Sequence, residues 1–218
     1  MIALLMAAAF AGPGDFTTRI DNPYWPMAPG SRWVYRETDT DGSVQKVVVK
    51  VTDRTKRVAS GIVGRVVRDT VTEDGRLVED TFDWYAQDRR GNVWYLGEDT
   101  TEYENGRPVS KAGSFEDGVA GARRGIVMLA RPRVGREYAQ ERAPGVAEDR
   151  ARVLSRDEQV HVPFGRFENA LLTRDINPLE PRVNEYKLYA RGVGPVLALG
   201  ISGGGGREEL LRFKRGRL

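Results

Sequence analysis

The sequence contains no cysteine and a single histidine, His161, among its 218 residues. Without cysteine the chain cannot supply a disulfide, a thiolate nucleophile, an iron–sulfur cluster or a Cys-type zinc site. One histidine excludes the zinc and transition-metal sites that need several imidazoles. His161 stands in the alternating stretch Val160–Pro163, so we expect a packed or surface strand residue. We predict no cofactor.

Segregated charge and long apolar runs are also lacking. The 34 basic and 31 acidic side chains leave a formal net charge of +3, and the two signs alternate along the chain. Nucleic-acid-binding proteins gather basic residues on one face, so we predict no nucleic-acid partner. The basic cluster Arg212, Lys214, Arg215 and Arg217, most of it in the tail 214–218, is most simply solvated, with a phosphate or anionic-lipid contact as the alternative. No segment approaches the roughly 18 apolar residues of a membrane-spanning helix, so we predict no transmembrane span.

Residues 1–11 form a short apolar stretch that ends in Ala9-Phe10-Ala11. A small-x-small pattern after such a stretch is typical of the cleavage site of a secretory signal peptide. We therefore interpret residues 1–11 as a signal-peptide remnant and expect a secreted or periplasmic protein. A hydrophobic N-terminus that stays on the domain is the alternative.

Glycine and proline divide the rest of the chain. They are dense in residues 12–31, which predicts an extended segment without regular helix. From residue 32 to 213, short stretches of alternating apolar and polar residues follow one another, as in half-buried strands. Asp41-Gly42, Asp74-Gly75 and Asn105-Gly106 separate several of them and favour tight hairpin turns.

About a dozen such strands are enough to close a barrel. The sequence therefore predicts one all-β domain over residues 32–213, an antiparallel meander that forms a barrel or a strongly curved sheet with few short helices. The best helical candidate is a short turn over Ser114–Ala120, where the serine could cap the turn.

Three stretches carry a resemblance to a known family: Asp83–Glu98, Gly125–Met128 and Tyr189–Pro195. They resemble a family of exported bacterial β-rich proteins that has no established activity. The resemblance implies a similar fold and export, and it transfers no catalytic residue. The architecture is also similar to envelope carriers of the lipoprotein-localisation type and to lipocalins, an analogy of fold that says little about function.

The hairpin that begins near Asp83 is the first candidate site. Strand alternation places Asp83, Tyr85 and Gln87 on one face, and the partner strand can bring Tyr95 to the same side. Aromatic rings with a few hydrogen-bonding groups are typical of small-ligand sites. Trp84 faces the opposite way. We predict a ligand-binding pocket here, with a barrel wall whose polar face meets solvent as the alternative.

A second candidate combines Glu185, Lys187 and Tyr189, which alternation places on one face of a later strand. If that face points into a lumen, Lys187 needs a carboxylate partner, because a buried unpaired ammonium is costly. Together with Asp83, these residues are the candidates for catalytic acid, base and electrostatic groups. A cross-strand or exposed ion pair is the alternative.

An acidic cluster beside a turn is the main hint of a metal site. Its members are Glu98, Asp99, Glu102 and Glu104, but their spacing fits no calcium-binding loop. We therefore predict no metal and keep these four residues as weaker candidates.

Two classes of function are compatible with these features. The first is an exported barrel-like module that binds an apolar or amphiphilic small molecule, an envelope lipid or a partner protein. The four tryptophans and eight tyrosines favour it, because aromatic rings supply contact area at low entropic cost. The second is a hydrolase, lyase or isomerase that uses carboxylates in the lumen of the barrel.

Overall fold

The computed structural model describes residues 12–203 and 205–217, so the predicted signal peptide at residues 1–11 lies outside the described part. Apart from a 3₁₀ turn at Pro13–Asp15, the regular structure of these residues is all strand. The strands are β1 (Phe16–Thr17), β2 (Arg32–Thr38), β3 (Val44–Arg57), β4 (Val63–Glu73), β5 (Arg76–Asp88), β6 (Val93–Glu104), β7 (Arg107–Ser110), β8 (Phe115–Glu116), β9 (Arg123–Met128), β10 (Glu137–Ala139), β11 (Glu141–Arg142), β12 (Arg150–Val162), β13 (Gly165–Ile176), β14 (Asn184–Ala190), β15 (Gly194–Ser202) and β16 (Arg207–Lys214).

The strands form one antiparallel sheet that curls into a nearly closed barrel. Its strand order is β10-β12-β13-β14-β15-β16-β2-β3-β4-β5-β6-β9-β11. Outside this order, β1 pairs with β5, and β7 and β8 pair with β6. Only Gln140 separates the two end strands β10 and β11 in the chain, so the ends of the sheet must meet. The predicted antiparallel barrel is confirmed.

Two of the predicted hairpin turns show the backbone that their sequence favours. Asp74 and Gly75 have φ of 49° and 79°, and Asn105 and Gly106 have φ of 51° and 75°. Two consecutive positive φ angles are the signature of a type I′ turn, which matches the twist of the adjoining strands.

The predicted helical turn over Ser114–Ala120 is wrong. The segment forms the short strand β8 and a turn. The serine does not cap a helix, because its hydroxyl accepts a hydrogen bond from the backbone amide of Thr100 in β6 at 2.9 Å. A tertiary hydrogen bond has overridden a local capping preference.

The main hydrophobic core lies inside the barrel and reaches one end of it. Inward-facing residues such as Trp33, Tyr35 and Leu210 belong to this core. The N-terminal segment, residues 12–31, adds Ile20 and Met27, which are fully buried in the same cluster. This segment joins β2 at its first residue, so it fills the end of the barrel where β2 begins.

A smaller cluster packs on the opposite face of β4, β5 and β6. Trp84 and Leu96 form its centre, and Val58 and Ile62 from the β3–β4 hairpin cover them. Trp84 and Asp83 thus face opposite sides, as alternation predicts. The larger core is on the side of Asp83.

The basic C-terminal residues are tied to the filled end of the barrel. The guanidinium of Arg215 donates to the carbonyl of Gly192 at 2.5 Å, and the amide of Gly216 donates to the Ser31 hydroxyl at 2.9 Å. The amide of Arg217 donates to the carbonyl of Pro29 at 3.2 Å. Rather than a free solvated tail, this stretch is hydrogen-bonded to the fold through Arg217.

Candidate functional site

An open cavity of about 370 Å³ occupies the other end of the barrel. It lies where β2 ends and β16 begins, opposite the end that the N-terminal segment fills. Most of the side chains that line it are polar, and they include six carboxylates and one lysine. The lining residues are Glu37, Asp39, Asp149, Asp175, Ile176, Asn177, Val183, Asn184, Glu185, Lys187, Gly200, Gly206 and Glu208.

The strand register explains one wall of this cavity. Tyr138 in β10 lies opposite Ala151 in β12, which lies opposite Asp175 in β13, which in turn lies opposite Glu185 in β14. Directly opposed residues of an antiparallel sheet share a face, so this row points inward. The small side chain of Ala151 leaves open space between the larger polar ones.

A second inward-facing row lies one step deeper. Thr173 is opposite Lys187, Lys187 is opposite Ala198, Ala198 is opposite Glu208, and Glu208 is opposite Glu37. Again a small residue, Ala198, stands between the charged ones. The two rows together place acidic groups from four strands around a single lysine.

Lys187 is the centre of an ion-pair network. Its Nζ lies 3.2 Å from Asp175 Oδ2 and 3.0 Å from Glu185 Oε2. Asp175 also accepts hydrogen bonds from the Thr173 hydroxyl and the Gln140 side-chain amide. Burial alone lowers the pKa of Lys187, but the carboxylates of Asp175 and Glu185 outweigh it and hold the pKa well above its usual value. The lysine is therefore a fixed cation.

The remaining carboxyl groups of the cavity lack such a partner. In the described part of the chain, no ion pair or side-chain hydrogen bond reaches the carboxyl oxygens of Glu37, Asp149 or Glu208. Burial, and then the nearby Asp69 and Glu37, raise the pKa of Glu208 to about 8. Burial, followed by neighbouring carboxylates, also raises the pKa of Glu37. Lys187 lowers the pKa of Glu208, but burial and the neighbouring carboxylates outweigh its effect.

The Tyr138 hydroxyl and Asp69 Oδ1 are among the buried polar atoms without a hydrogen-bond partner in the described residues, but neither residue lines the cavity. Tyr138 is 7% exposed, and it belongs to the inward row that contains Asp175 and Glu185. Burial and the charge of Asp175 raise its pKa. Buried polar atoms in proteins are nearly always hydrogen-bonded, so unpartnered ones require an explanation.

The first predicted site comes together only in part. The Tyr95 hydroxyl donates to Asp83 Oδ1 at 2.6 Å, and the Tyr85 and Tyr95 rings stack with their centroids 4.8 Å apart. Gln87 does not join them, because its side-chain oxygen accepts the backbone amides of Asp21 and Asn22 at 3.0 and 2.9 Å. Gln87 therefore holds the N-terminal segment in place.

Asp83, Tyr85 and Tyr95 are all buried, and none of them lines the cavity. Burial raises the pKa of Asp83 well above its usual value, and the neighbouring Glu98 adds to the effect. The arrangement is a buried carboxyl group that is satisfied by a tyrosine within the packed core.

The second predicted site, which combines Glu185, Lys187 and Tyr189, coincides in part with the cavity. Glu185 and Lys187 line it, whereas Tyr189 lies below them, fully buried, with its ring 5.7 Å from that of Trp25. Asp83 belongs to the separate Tyr95 pair. The four candidate catalytic residues are thus divided between two places.

The acidic residues near the β6–β7 turn do not converge. Glu98 faces the core and accepts a hydrogen bond from the Thr100 hydroxyl at 2.8 Å, whereas Asp99 pairs with Lys111 at the surface. Glu102 is half-buried and Glu104 is exposed. Within the described residues, no group of three histidine, aspartate or glutamate side chains is arranged to hold a metal ion.

Sequence reasoning missed most of the cavity's acids. Glu37 follows Trp33 and Tyr35 at the strand period, and Glu208 precedes Leu210 in the same way. A carboxylate at an apolar position of an alternating strand is the signal that could have found both. Asp175 and Tyr138 gave no comparable signal, because only the pairing of β10, β12, β13 and β14 aligns them.

Comparison with known proteins gives little to add. No family model matches the chain, and none of the curated proteins does. One solved structure is similar in fold, that of a "putative lipoprotein" from Parabacteroides distasonis ATCC 8503. It shares 12% sequence identity and a TM-score of 0.48, over 88% of this chain and 99% of that one. Likeness at this level carries no argument about function. In the described residues, no helix is long and apolar enough to cross a membrane.

Proposed function

We propose that the protein is an exported binding module that takes the polar part of a small amphiphilic molecule into the open end of its barrel. The observation that carries this proposal is the cavity of about 370 Å³ with its converging polar groups. Ligand sites in barrels are typically found at the mouth, where a few polar groups fix the orientation of the ligand.

The packing of the barrel supports a ligand of limited size. The end that holds Ile20 and Met27 is filled with buried side chains, so a large apolar molecule has no room to pass through. Ile176 and Val183 add apolar surface to the open cavity. A molecule with a polar head and a short apolar part fits this combination.

The alternative, an enzyme that works with carboxylates, loses one of its candidate groups. A general base must be able to release its proton near the working pH. The pKa of Lys187 is held above its usual value by Asp175 and Glu185, so Lys187 is suited to electrostatic positioning and not to proton abstraction. The enzyme alternative is then left with the carboxyl groups of the cavity, among which Glu208 has a pKa raised to about 8.

Export belongs to the same proposal. It is supported by the apolar stretch over residues 1–11 with its Ala9-Phe10-Ala11 pattern. Sequencing the N-terminus of protein recovered from the periplasm or medium of expressing bacteria checks it. Recovery only from the cytoplasm, with residues 1–11 retained, would contradict export.

Native mass spectrometry of the purified protein tests binding directly. We expect a co-purifying small molecule, or mass increments on incubation with candidate ligands. Ala198→Phe should abolish them, because position 198 stands between Lys187 and Glu208 in the inward row. Ile201→Phe is the matched control, since Ile201 lies on the same strand but is 43% exposed. Equal occupancy in both variants would place the ligand outside the cavity and contradict the proposal.

A further inference from the structure

We propose that the outer face of β16, β2 and the first half of β3 docks on an anionic lipid surface. This basic face consists of the outward-pointing residues of Arg207–Lys214, Arg32–Thr38 and residues 44–50. It lies on the outside of the barrel wall and is independent of the cavity and of the molecule that the cavity takes.

The strand period separates the two signs of charge in this wall. Glu37 and Glu208 line the cavity, so their chain neighbours Arg36 and Arg207 point to the outside of the barrel. Opposite charges that follow one another along the chain thus lie on opposite faces of the sheet. The mixing of signs in the sequence therefore does not carry over to the surface of the molecule.

The outward positions of the three stretches, all of which the structure describes, hold seven exposed basic residues and one acidic residue. The acid, Glu209, pairs with both Arg36 and Arg207. No ion pair within the described part of the chain reaches the other five bases, so the face carries a clear excess of positive charge. They are Arg32, Lys46, Lys50, Arg212 and Lys214.

Three of these bases form one row across the sheet. Lys214 lies directly opposite Arg32, and Arg32 lies directly opposite Lys50. Neighbouring strands are about 4.8 Å apart, so three positive charges are attached within roughly 10 Å. Like charges directly opposite one another destabilise a sheet. The fold gains nothing from this row, whereas an anionic surface would neutralise it.

The shape of the basic face favours a lipid surface over a nucleic acid. Single-stranded nucleic acids bind in basic grooves, where their bases stack on aromatic side chains. The outside of a barrel wall is convex, and the aromatic residues of the three stretches are directed to the core. Trp33 and Tyr35 are buried in the core, and Phe213 packs against it.

Exposed apolar side chains adjoin the charges. Val44, at an outward position of β3, is 51% exposed, and Phe164, at the tip of the β12–β13 hairpin, is 39% exposed. The amide of Phe164 donates to the carbonyl of Leu210 at 3.0 Å, which holds this residue beside β16. Basic and apolar side chains next to one another are typical of proteins that bind the headgroup layer of anionic membranes.

Sedimentation with lipid vesicles tests the inference. One set of vesicles is phosphatidylcholine alone, and the other contains about 30 mol% phosphatidylglycerol as the anionic lipid. Each basic residue near an anionic surface strengthens binding about fivefold. We therefore expect a partition constant at least about tenfold higher on the anionic vesicles. Sodium chloride at about 0.5 M should remove the difference, because it screens exposed charges.

Charge reversal in the row locates the binding. The double variant Lys50→Glu with Lys214→Glu should lower the partition constant on anionic vesicles by about tenfold or more. Both new carboxylates would lie directly opposite Arg32, and opposite charges in such pairs stabilise a sheet. The variant should therefore unfold at the same urea concentration as wild type or at a higher one, so that lost binding does not reflect lost folding.

The double variant Arg133→Glu with Arg136→Glu is the matched control. Both arginines are exposed and have no ion pair among the described residues. They lie just before β10, half of the strand order away from β2. The change in net charge is the same, and this variant should bind the anionic vesicles as wild type does.

Four results would overturn the inference. They are no binding to anionic vesicles, equal binding to both kinds of vesicle, an equal loss of binding in the two double variants, and tighter binding to a single-stranded DNA of about 20 nucleotides than to anionic vesicles at equal phosphate concentration. The last result would assign the basic face to a nucleic acid. None of them bears on the cavity, whose ligand Ala198→Phe tests in native mass spectra.

Discussion

Buried carboxyl groups inside the barrel occur in two settings, and these settings determine what a substitution does. Asp83 receives a hydrogen bond from the Tyr95 hydroxyl, whereas Glu208 receives none from the described residues. Alternation in the sequence was enough to place Asp83 and Tyr85 on one face. It could not tell whether that face is wet or dry, because this depends on strands far away in the chain.

Removing the donor of the first pair should destabilise the protein. Tyr95→Phe leaves Asp83 buried without its hydrogen bond, and a group left unsatisfied in this way costs about 1–3 kcal/mol. Asp83→Asn keeps an acceptor for the tyrosine hydroxyl and removes a carboxyl group whose pKa is raised by burial. We therefore expect its stability to equal or exceed that of wild type. Urea unfolding of the two variants checks both. A wild-type midpoint for Tyr95→Phe would show that the hydrogen bond contributes nothing.

The unpaired carboxyl groups should make stability fall as the pH rises. The pKa of Glu208 is about 8 in the folded protein, against an ordinary 4.5. The folded state therefore holds more protons than the unfolded state between these pH values, so the free energy of unfolding decreases from about pH 4.5 to about pH 8. Burial is the largest cause of the raised pKa; Asp69, Glu37 and Glu185 raise it further, and Lys187 lowers it.

Glu208→Gln is the variant that tests this pH dependence. It should gain on the order of 1–2 kcal/mol over wild type at pH 8 and little at pH 4.5. Urea unfolding across this range measures the effect. Glu209→Gln should not reproduce it, because the side-chain hydrogen bond from Arg207 lowers the pKa of Glu209. Parallel pH profiles for wild type and Glu208→Gln would contradict the prediction.

At the scale of the element, the β5–β6 hairpin shows what a local pattern can and cannot predict. Strand alternation in the sequence puts Trp84 and Trp94 on one face of the hairpin and Asp83 and Tyr85 on the other. The structure has the same division of faces. The indoles do not belong to the interior of the barrel, however. Trp84 is buried in the smaller outer cluster, and Trp94 is only half-buried at its edge. The cover over Trp84 comes from the β3–β4 hairpin, which no alternation within β5 reveals.

The two tryptophans should therefore contribute unequally. Trp84 is 5% exposed, and the ammonium of Lys56 lies 3.8 Å from the centre of its ring. Trp84→Ala should cost roughly 3–5 kcal/mol, as expected for a large side chain removed from a packed cluster. Trp94→Ala should cost less, about 1–2 kcal/mol, most of it from the hydrogen bond between its indole N–H and Asp88. Equal losses in denaturant unfolding would contradict this ranking.

At the scale of the whole molecule, the closure of the barrel is the feature that the sequence could not supply. Strand number and turn dipeptides predict a curved antiparallel sheet. The acidic cavity exists only because β14, β16 and β2 bring Lys187, Glu208 and Glu37 into one inward-facing row. The seam between β9 and β11 then completes the wall, and it pairs Arg123 and Arg124 with the two residues of a very short strand. Such pairings between distant segments leave no local pattern.

One glycine makes this seam tight, which leads to a prediction about the whole barrel. A Cβ at Gly125 would lie 2.0 Å from the backbone oxygen of Gln140 and 2.7 Å from the amide nitrogen of Glu141. Backbone atoms cannot move aside as a flexible side chain does, so Gly125→Ala should push β9 away from β11. We expect a loss of about 2–4 kcal/mol in the free energy of unfolding. In this variant the amides of β11 should exchange faster than they do in wild type. The amides of β3, which lies far from the seam in the strand order, should exchange as in wild type.

Gly165→Ala is the matched control for the seam. A Cβ at Gly165 meets no atom within 4 Å, and its backbone needs no positive φ. This variant should stay within about 0.5 kcal/mol of wild type, or gain slightly, because alanine reduces the entropy of the unfolded chain. Hydrogen exchange followed by mass spectrometry compares the variants. If Gly125→Ala protected β11 as well as wild type and lost no more stability than Gly165→Ala, the barrel would not depend on this close approach.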